Sequence, residues 1–240
     1  AISLVGCADV SSLVGTKQMK KVLFVVNSST FFVSHRLPIA QTLIEKGYEV
    51  HIATSGETLP IFNEMGLSFH RIEFSRKGTH PLSELRVTCK LFKLFTDLQP
   101  DIVHTITIKP YLYGGIAGKM ANVPAVVSAV SGLGFVFINT GLKVKLLRAL
   151  LYPWYKLAFS HKNQFIIFQN SDDADLLVNW LDINPSKVCL IPGSGVDLNE
   201  YQYSVEPIGK PIVIFVARLV ADKGIREFID ASQIIHRNGI

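Results

Sequence analysis

Short, uniformly apolar runs alternate along this chain with longer stretches in which apolar positions recur at helical spacing. That alternation predicts βαβ units and a parallel sheet. Val22–Val26 contains no polar residue, as expected of a strand covered on both faces. A polar loop, Asn27–Ser34, then leads into a helix expected from His35 to Lys46, with Gly47 as its stop. Glu49–Ala53 reads as the second strand, Leu59–Met65 as a short helix and Leu67–Phe74 as the third strand. Pro81–Leu98 is a long amphipathic helix with Leu82, Leu85, Leu91, Phe92, Leu94, Phe95 and Leu98 as its apolar positions. Asp101–Thr105 and Ala125–Val130 are strands on either side of a helix near Tyr111–Met120. Gln164–Phe168, a helix over Ser171–Leu181 and a strand over Val188–Ile191 complete the series. The fold class is therefore α/β, a Rossmann-like parallel sheet.

The rhythm breaks at Pro192. From there to Lys210 the chain holds five Gly or Pro residues and no apolar periodicity, as in a linker. Pro211–Val216 then predicts a strand and Gly224–Arg237 a helix. A single βα unit has no means of burying both faces of its strand, so a second domain interrupted soon after its start is expected. The expected organisation is residues 1–18 as a leader or non-native extension, 19–205 as one domain, and 206–240 as the beginning of another. Leu4-Val5-Gly6-Cys7 looks like a lipoprotein cleavage box, but no charged segment and no adequate apolar segment precede it.

Composition narrows the class. Across 240 residues, 48% are hydrophobic and 18% charged, which excludes intrinsic disorder. Cys7, Cys89 and Cys189 are far apart and odd in number, which argues against a disulfide scaffold and for a reducing compartment. The longest apolar run, Val123–Ile138, is broken by Pro124, Gly132 and Gly134 and is too short to cross a bilayer. The net charge of +5 is concentrated: residues 102–171 hold seven Lys or Arg and no Asp or Glu. The remainder, with 17 bases and 19 acids, is mildly acidic, so the charge points to one basic patch and not to nucleic acid.

Ligands of open α/β sheets bind beyond the carboxyl ends of the strands, which gives the loop after the first strand a functional position. Asn27, Ser28 and His35 are candidates there, with a packing role for His35 an equal alternative. The loop lacks G-x-G-x-x-G, which removes the main support for a dinucleotide oxidoreductase. Ser131, Gly132 and Gly134 follow the fifth strand and offer a tight turn or a close backbone approach to ligand. Asp172-Asp173-Ala174-Asp175 contains a D-x-D spacing. Its place just after Ser171, the expected N-cap, makes it a capped helix start rather than a metal site. Over Leu142–Lys162, Lys145, Arg148, Lys156 and Lys162 fall within an arc of about 120° at helical spacing. Leu146, Leu147, Leu150, Trp154 and Leu157 lie opposite, and Pro153 predicts a kink. An ordinary core-packing helix has this pattern; so does a surface for anionic lipid headgroups or pyrophosphate.

Phe31-Phe32-Val33-Ser34-His35-Arg36-Leu37-Pro38, Asp101-Ile102-Val103-His104-Thr105 and Ser131-Gly132-Leu133-Gly134-Phe135 occur in that order. Ile191-Pro192-Gly193-Ser194-Gly195-Val196-Asp197, Val216-Ala217-Arg218-Leu219 and Lys223-Gly224 follow them. Together they resemble glycosyltransferase family 4, the retaining GT-B enzymes, in its bacterial capsule, O-antigen and glycan-assembly branch. The resemblance implies two facing Rossmann-like domains, the first holding the acceptor and the second the nucleotide-sugar donor. It implies that Arg218 and Lys223 meet the donor diphosphate, consistent with a cationic site ahead of a helix N-terminus. It further implies transfer of a hexose or N-acetylhexosamine, from a UDP-sugar, to a lipid-diphosphate-linked glycan. No cofactor and no metal are expected. The expected partners are the nucleotide sugar, the lipid-linked acceptor and an anionic membrane surface met by Lys145, Arg148 and Lys156. The expected location is cytoplasmic, peripheral at the inner face of the plasma membrane. Two departures stand out. Ser131 occupies a position where many relatives have His, so no catalytic residue is assigned. The family's second-domain E-x(7)-E motif is expected only past Ile240, so the chain alone is expected to be inactive. A GT-B nucleotide-sugar epimerase and a non-catalytic acceptor- or partner-binding fragment are the alternatives.

Overall fold

The structure, a computed structural model, describes residues 19–74, 81–138, 141–199, 201–209, 212–217, 219 and 221–238. Its chain divides into two compact units, one through Gly195 and one from Val196.

The first unit is a seven-stranded sheet. Its strands are β1 (Lys21–Val26), β2 (Glu49–Thr54), β3 (Ser68–Arg71), β4 (Ile102–Ile106), β5 (Ala125–Val130), β6 (Gln164–Phe168) and β7 (Val188–Leu190). All neighbours pair in parallel in the order β3-β2-β1-β4-β5-β6-β7. Helices α1 (Ser29–Glu45) and α2 (Pro60–Glu64) cover one face. There Phe32 and Phe62 pack with Phe24, Ile52 and Ile106. On the opposite face Val87, Leu91 and Phe95 of α3 (Pro81–Leu98) meet Leu23, Val25 and Val103. The four-residue spacing of those three side chains keeps them on one side of α3.

Helix α4 (Ile108–Met120) lies beside α3, and α6 (Leu142–Ala158) lies against α4. Glycine sets that approach. A Cβ on Gly115 would stand 2.4 Å from the carbonyl oxygen of Ala158, a distance no packing tolerates. Short α5 (Phe135–Ile138) and α7 (Ser171–Leu181) complete this layer. Tyr111, Phe137, Tyr155, Phe159 and Phe168 form its core.

Several boundaries differ from the sequence expectation. Helix α1 starts at Ser29, so most of the expected loop is helical. Ser28 is extended (φ −154°), its carbonyl takes the first helical bond from the Phe32 amide at 3.0 Å, and the Phe32 ring is completely buried. Burying that phenyl outweighs the turn preference of the Ser/Thr run, and Ser34 satisfies its own hydroxyl on the Thr30 carbonyl. The third strand pairs only over Ser68–Arg71. Helix α6 stops at Ala158, leaving Lys162 outside it. Asn170, not Ser171, caps α7: its side chain accepts from the Asp173 amide at 2.8 Å and donates to the Asp173 carboxylate at 3.0 Å. The D-x-D run is thus engaged in a reciprocal cap.

In the second unit a 3-10 turn, Ala221–Lys223, precedes α8 (Ile225–Arg237). Phe215 and Phe228 lie 5.1 Å apart between ring centroids. The strand expected over Pro211–Val216 is absent from the described residues 212–216, which make no ladder hydrogen bonds to another described strand. The unit begins ten residues earlier than the expected boundary between 205 and 206.

Candidate functional site

The strand order reverses between β1 and β4. From β1 the chain moves through α1 toward β2, whereas β4 begins the run toward β5, β6 and β7. The connections leaving the carboxyl ends of β1 and β4 therefore diverge, and a crevice opens between them. Its volume is about 350 Å³ and its walls are Asn27, Ser28, Phe31, Phe74, Thr107, Ile108 and Lys109.

Two helix N-termini open into this crevice, those of α1 and α4. Neither has an acidic residue in its first turn, and neither is capped by a side chain. The Ser28 hydroxyl pairs with that of Thr30 at 2.8 Å instead of turning back on the backbone. Each helix start carries a partial positive charge of roughly half a unit, so the crevice is suited to negative charge on a ligand. Lys109 also stands in the wall, its charge paired with Glu84 at 2.5 Å.

Thr107 joins β4 to α4 with φ 75° and ψ 166°, a conformation that a β-branched residue adopts at a cost of about 1–3 kcal/mol. Its Oγ1 is buried without a hydrogen-bond partner among the described residues. Strain and an orphaned hydroxyl coincide at the floor of the crevice.

The structure places the expected residues unequally. Asn27 and Ser28 line the crevice. His35 lies one turn further along α1, exposed, stacked on Phe31 at 4.2 Å and bonded through Nδ1 to Ser34 Oγ at 2.7 Å. Ser131 and Gly132 stand outside the lining. Gly134 (φ 73°) touches the wall indirectly, because a Cβ there would come within 2.8 Å of Ile108 Cδ1. Thr107 escaped sequence reasoning, since its backbone conformation has no signature in residue order. Arg218 lies outside the described residues. Lys223 is exposed at the end of the 3-10 turn before α8.

The basic helix is also rearranged. Arg148 turns inward, donating from Nε to the Val136 carbonyl at 2.7 Å and from Nη2 to the Phe137 carbonyl at 2.9 Å. Lys156 Nζ donates to the Leu181 carbonyl at the end of α7. Neither is an outward-facing charge of the kind expected from the arc. Lys143 and Lys145 are both exposed. The apolar residues face out with them: Leu142 is 83% exposed, Leu146 72%, Leu150 68% and Trp154 53%. Tyr155 and Ala158 take the core side. No described helix is long and apolar enough to cross a membrane.

A seven-stranded parallel Rossmann-like sheet with its crevice at the β1/β4 reversal is the architecture of the GT-B domains. Within that architecture the chain belongs to the glycosyl transferase 4-like family, whose model matches residues 21–170. Among solved structures, a glycosyltransferase from Rickettsia africae superposes with TM-score 0.56 at 16% identity, covering 78% of this chain and 46% of that one. A UDP-N-acetylglucosamine 2-epimerase superposes with TM-score 0.51 at 13% identity, covering 72% and 48%. Transferases and epimerases share this domain, so the fold alone does not separate them.

Two sequence relatives are more specific. One is the Campylobacter jejuni N,N'-diacetylbacillosaminyl-diphospho-undecaprenol alpha-1,3-N-acetylgalactosaminyltransferase, 28% identical over 229 residues. The match takes in 90% of this chain and 60% of that protein. The other is the Escherichia coli UDP-Gal:alpha-D-GlcNAc-diphosphoundecaprenol alpha-1,3-galactosyltransferase, 32% identical over 121 residues, which are 50% of this chain and 30% of that protein. The chain thus spans less than two thirds of either relative.

Proposed function

We propose that this domain holds a lipid-diphosphate-linked glycan at a membrane surface, as acceptor for a hexose or N-acetylhexosamine from a UDP-sugar. Both relatives are named for transfer to sugars carried on undecaprenol diphosphate, and one for a UDP-linked donor. The observation that carries the reading to this chain is the exposed apolar ridge of α6, Leu142, Leu146, Leu150 and Trp154, flanked by Lys143 and Lys145. Such a ridge has a use where the substrate stays in a bilayer: each inserted leucine contributes about 1–2 kcal/mol, and each lysine about 1 kcal/mol at an anionic surface.

In this reading the crevice takes the anionic end of the acceptor. The starts of α1 and α4 face its charge, and Asn27 and Ser28 supply hydrogen bonds. Arg218 and Lys223 belong to the donor side, where they would offset negative charge growing on the departing nucleoside diphosphate. No metal is invoked.

Vesicle co-sedimentation tests both halves. The chain should bind phosphatidylglycerol vesicles more strongly than phosphatidylcholine vesicles, in a salt-sensitive way. The double substitution Leu146→Glu and Leu150→Glu should abolish binding. Vesicles containing a polyprenyl-diphosphate-linked sugar should bind more strongly still. Asn27→Asp, which brings a like charge to the helix start, should remove that increment alone. Undiminished binding by the Leu146→Glu, Leu150→Glu variant would reject the membrane face; no increment from the lipid-linked sugar would reject the acceptor site.

A further inference from the structure

A second cavity, of about 300 Å³, opens on the sheet face that carries α1, between that helix and the segment following β7. It shares no lining residue with the crevice. Its polar walls are Arg36, His104, Gln169 and Ser194, and Ile39 and Ile167 are among its apolar ones.

Arg36 is the anomaly. It is only 7% exposed, and no carboxylate pairs with it among the described residues. Nη1 donates to its neighbour's carbonyl, His35 O, at 2.9 Å and to Ser194 Oγ at 3.1 Å, while Nε lies buried with no partner among the described residues. These bonds satisfy some N–H groups but leave the charge uncompensated. Guanidinium does not shed its proton at physiological pH, and an isolated buried charge costs several kcal/mol. The adjacent imidazole supplies no compensation. His104, 8% exposed, places Nδ1 at 3.1 Å from the Val127 carbonyl, so that nitrogen bears the proton and donates. Burial, with the Arg36 charge adding to it, lowers its pKa to about 4, so the ring is neutral at pH 7. Among the described residues the wall therefore carries one positive charge and no negative one. Gly193 and Gly195, on either side of Ser194, leave open space where side chains would stand.

We propose that this cavity is a binding site for a monoanionic oxyanion carried on a small apolar body, with Arg36 as its counter-charge. Gln169 and Ser194 supply neutral hydrogen bonds, and Ile39 and Ile167 contact the apolar part. Charge balance selects the monoanion: one guanidinium neutralises one negative charge, whereas a dianion would leave a surplus buried. A carboxylate and a phosphate diester both meet that description, and the site is distinct from the crevice assigned to the acceptor.

The test is an NMR titration of the 240-residue chain, following the amides of Gly193, Ser194 and Gly195 and the ring protons of His104. The probes are acetate, butyrate and dimethyl phosphate, with inorganic phosphate at pH 8 as the dianion. Saturable shifts confined to those residues are expected for at least one monoanion, with the dianion at least tenfold weaker. Butyrate should exceed acetate several-fold through its longer tail, and the tighter of butyrate and dimethyl phosphate identifies the head group. Arg36→Gln should weaken binding at least tenfold. Gln169→Leu, at a half-exposed position that does not tie α1 to the loop, should weaken it a few-fold and keeps the test decisive should the Arg36 variant fail to fold. No saturable shift with any monoanion, equal binding of the dianion, or undiminished binding by a folded Arg36→Gln or by Gln169→Leu would overturn the proposal.

Discussion

His104 gives the fold a measurable acid sensitivity. In the unfolded chain its imidazole titrates near the ordinary value of 6.5; in the native protein the pKa is lowered to about 4. Desolvation is the main cause, opposed by the bond to Val127 and reinforced by the Arg36 charge. Between those two values the unfolded chain binds a proton that the native protein excludes, so stability rises with pH across the window. The contribution is complete above about pH 6.5 and disappears as the pH falls to about 4. At about 1.4 kcal/mol per unit, the whole effect is about 3 kcal/mol, and about 2 kcal/mol of it is lost by pH 5. The perturbation is His104→Asn, whose side-chain amide can still donate to the Val127 carbonyl but does not titrate. Urea unfolding followed by tryptophan fluorescence at pH 7.5, 6 and 5 gives both stabilities. The other histidines are common to the two proteins, so their terms cancel in the difference. The wild type should lose about 2 kcal/mol more than the variant between pH 7.5 and pH 5. Equal losses would refute the reasoning, because the native imidazole would then be accepting its proton as readily as the unfolded one.

Two substitutions probe the backbone. Gly115→Ala drives a methyl group into the Ala158 carbonyl, where backbone meets backbone and no side chain can yield. It should destabilise the domain by about 3 kcal/mol in thermal or urea unfolding, and a loss below about 1 kcal/mol would show that α4 and α6 separate freely. Thr107→Gly relieves the strained φ and removes the orphaned Oγ1. It should leave stability unchanged or raise it by up to about 1 kcal/mol, where an ordinary Thr→Gly change at a helix start destabilises. A clear loss would mean that the threonine is not strained.

The alternation of apolar runs and helical periods was legible because its cause is local. Val22–Val26 must be covered on both faces, and Val87, Leu91 and Phe95 return to one side of a helix wherever that helix sits. Those patterns, with ordered motifs such as Phe31–Pro38, were enough for the parallel sheet and the family. Boundaries set by distant partners were not legible. Helix α1 gains its first turn because Phe32 reaches Phe24 and Phe62 at 5.3 and 5.8 Å. The apolar arc of α6 has the same spacing whether it faces core or solvent. Which side turns outward was decided by Gly115, which draws the Ala158 edge inward, and by the Phe137 and Leu181 carbonyls that take Arg148 and Lys156.

By itself, then, the sequence determined the alternating α/β architecture, the family and a basic segment free of acids, since each rests on residue types and their spacing. Tertiary structure alone decided the two cavities. The crevice needs helix starts at Ser29 and Ile108 to converge at the reversal of strand order, and the second cavity brings Arg36 to Ser194 across 158 residues of chain. Periodicity carries information about which face a residue shares with its near neighbours. It carries none about which remote backbone will stand opposite a buried charge.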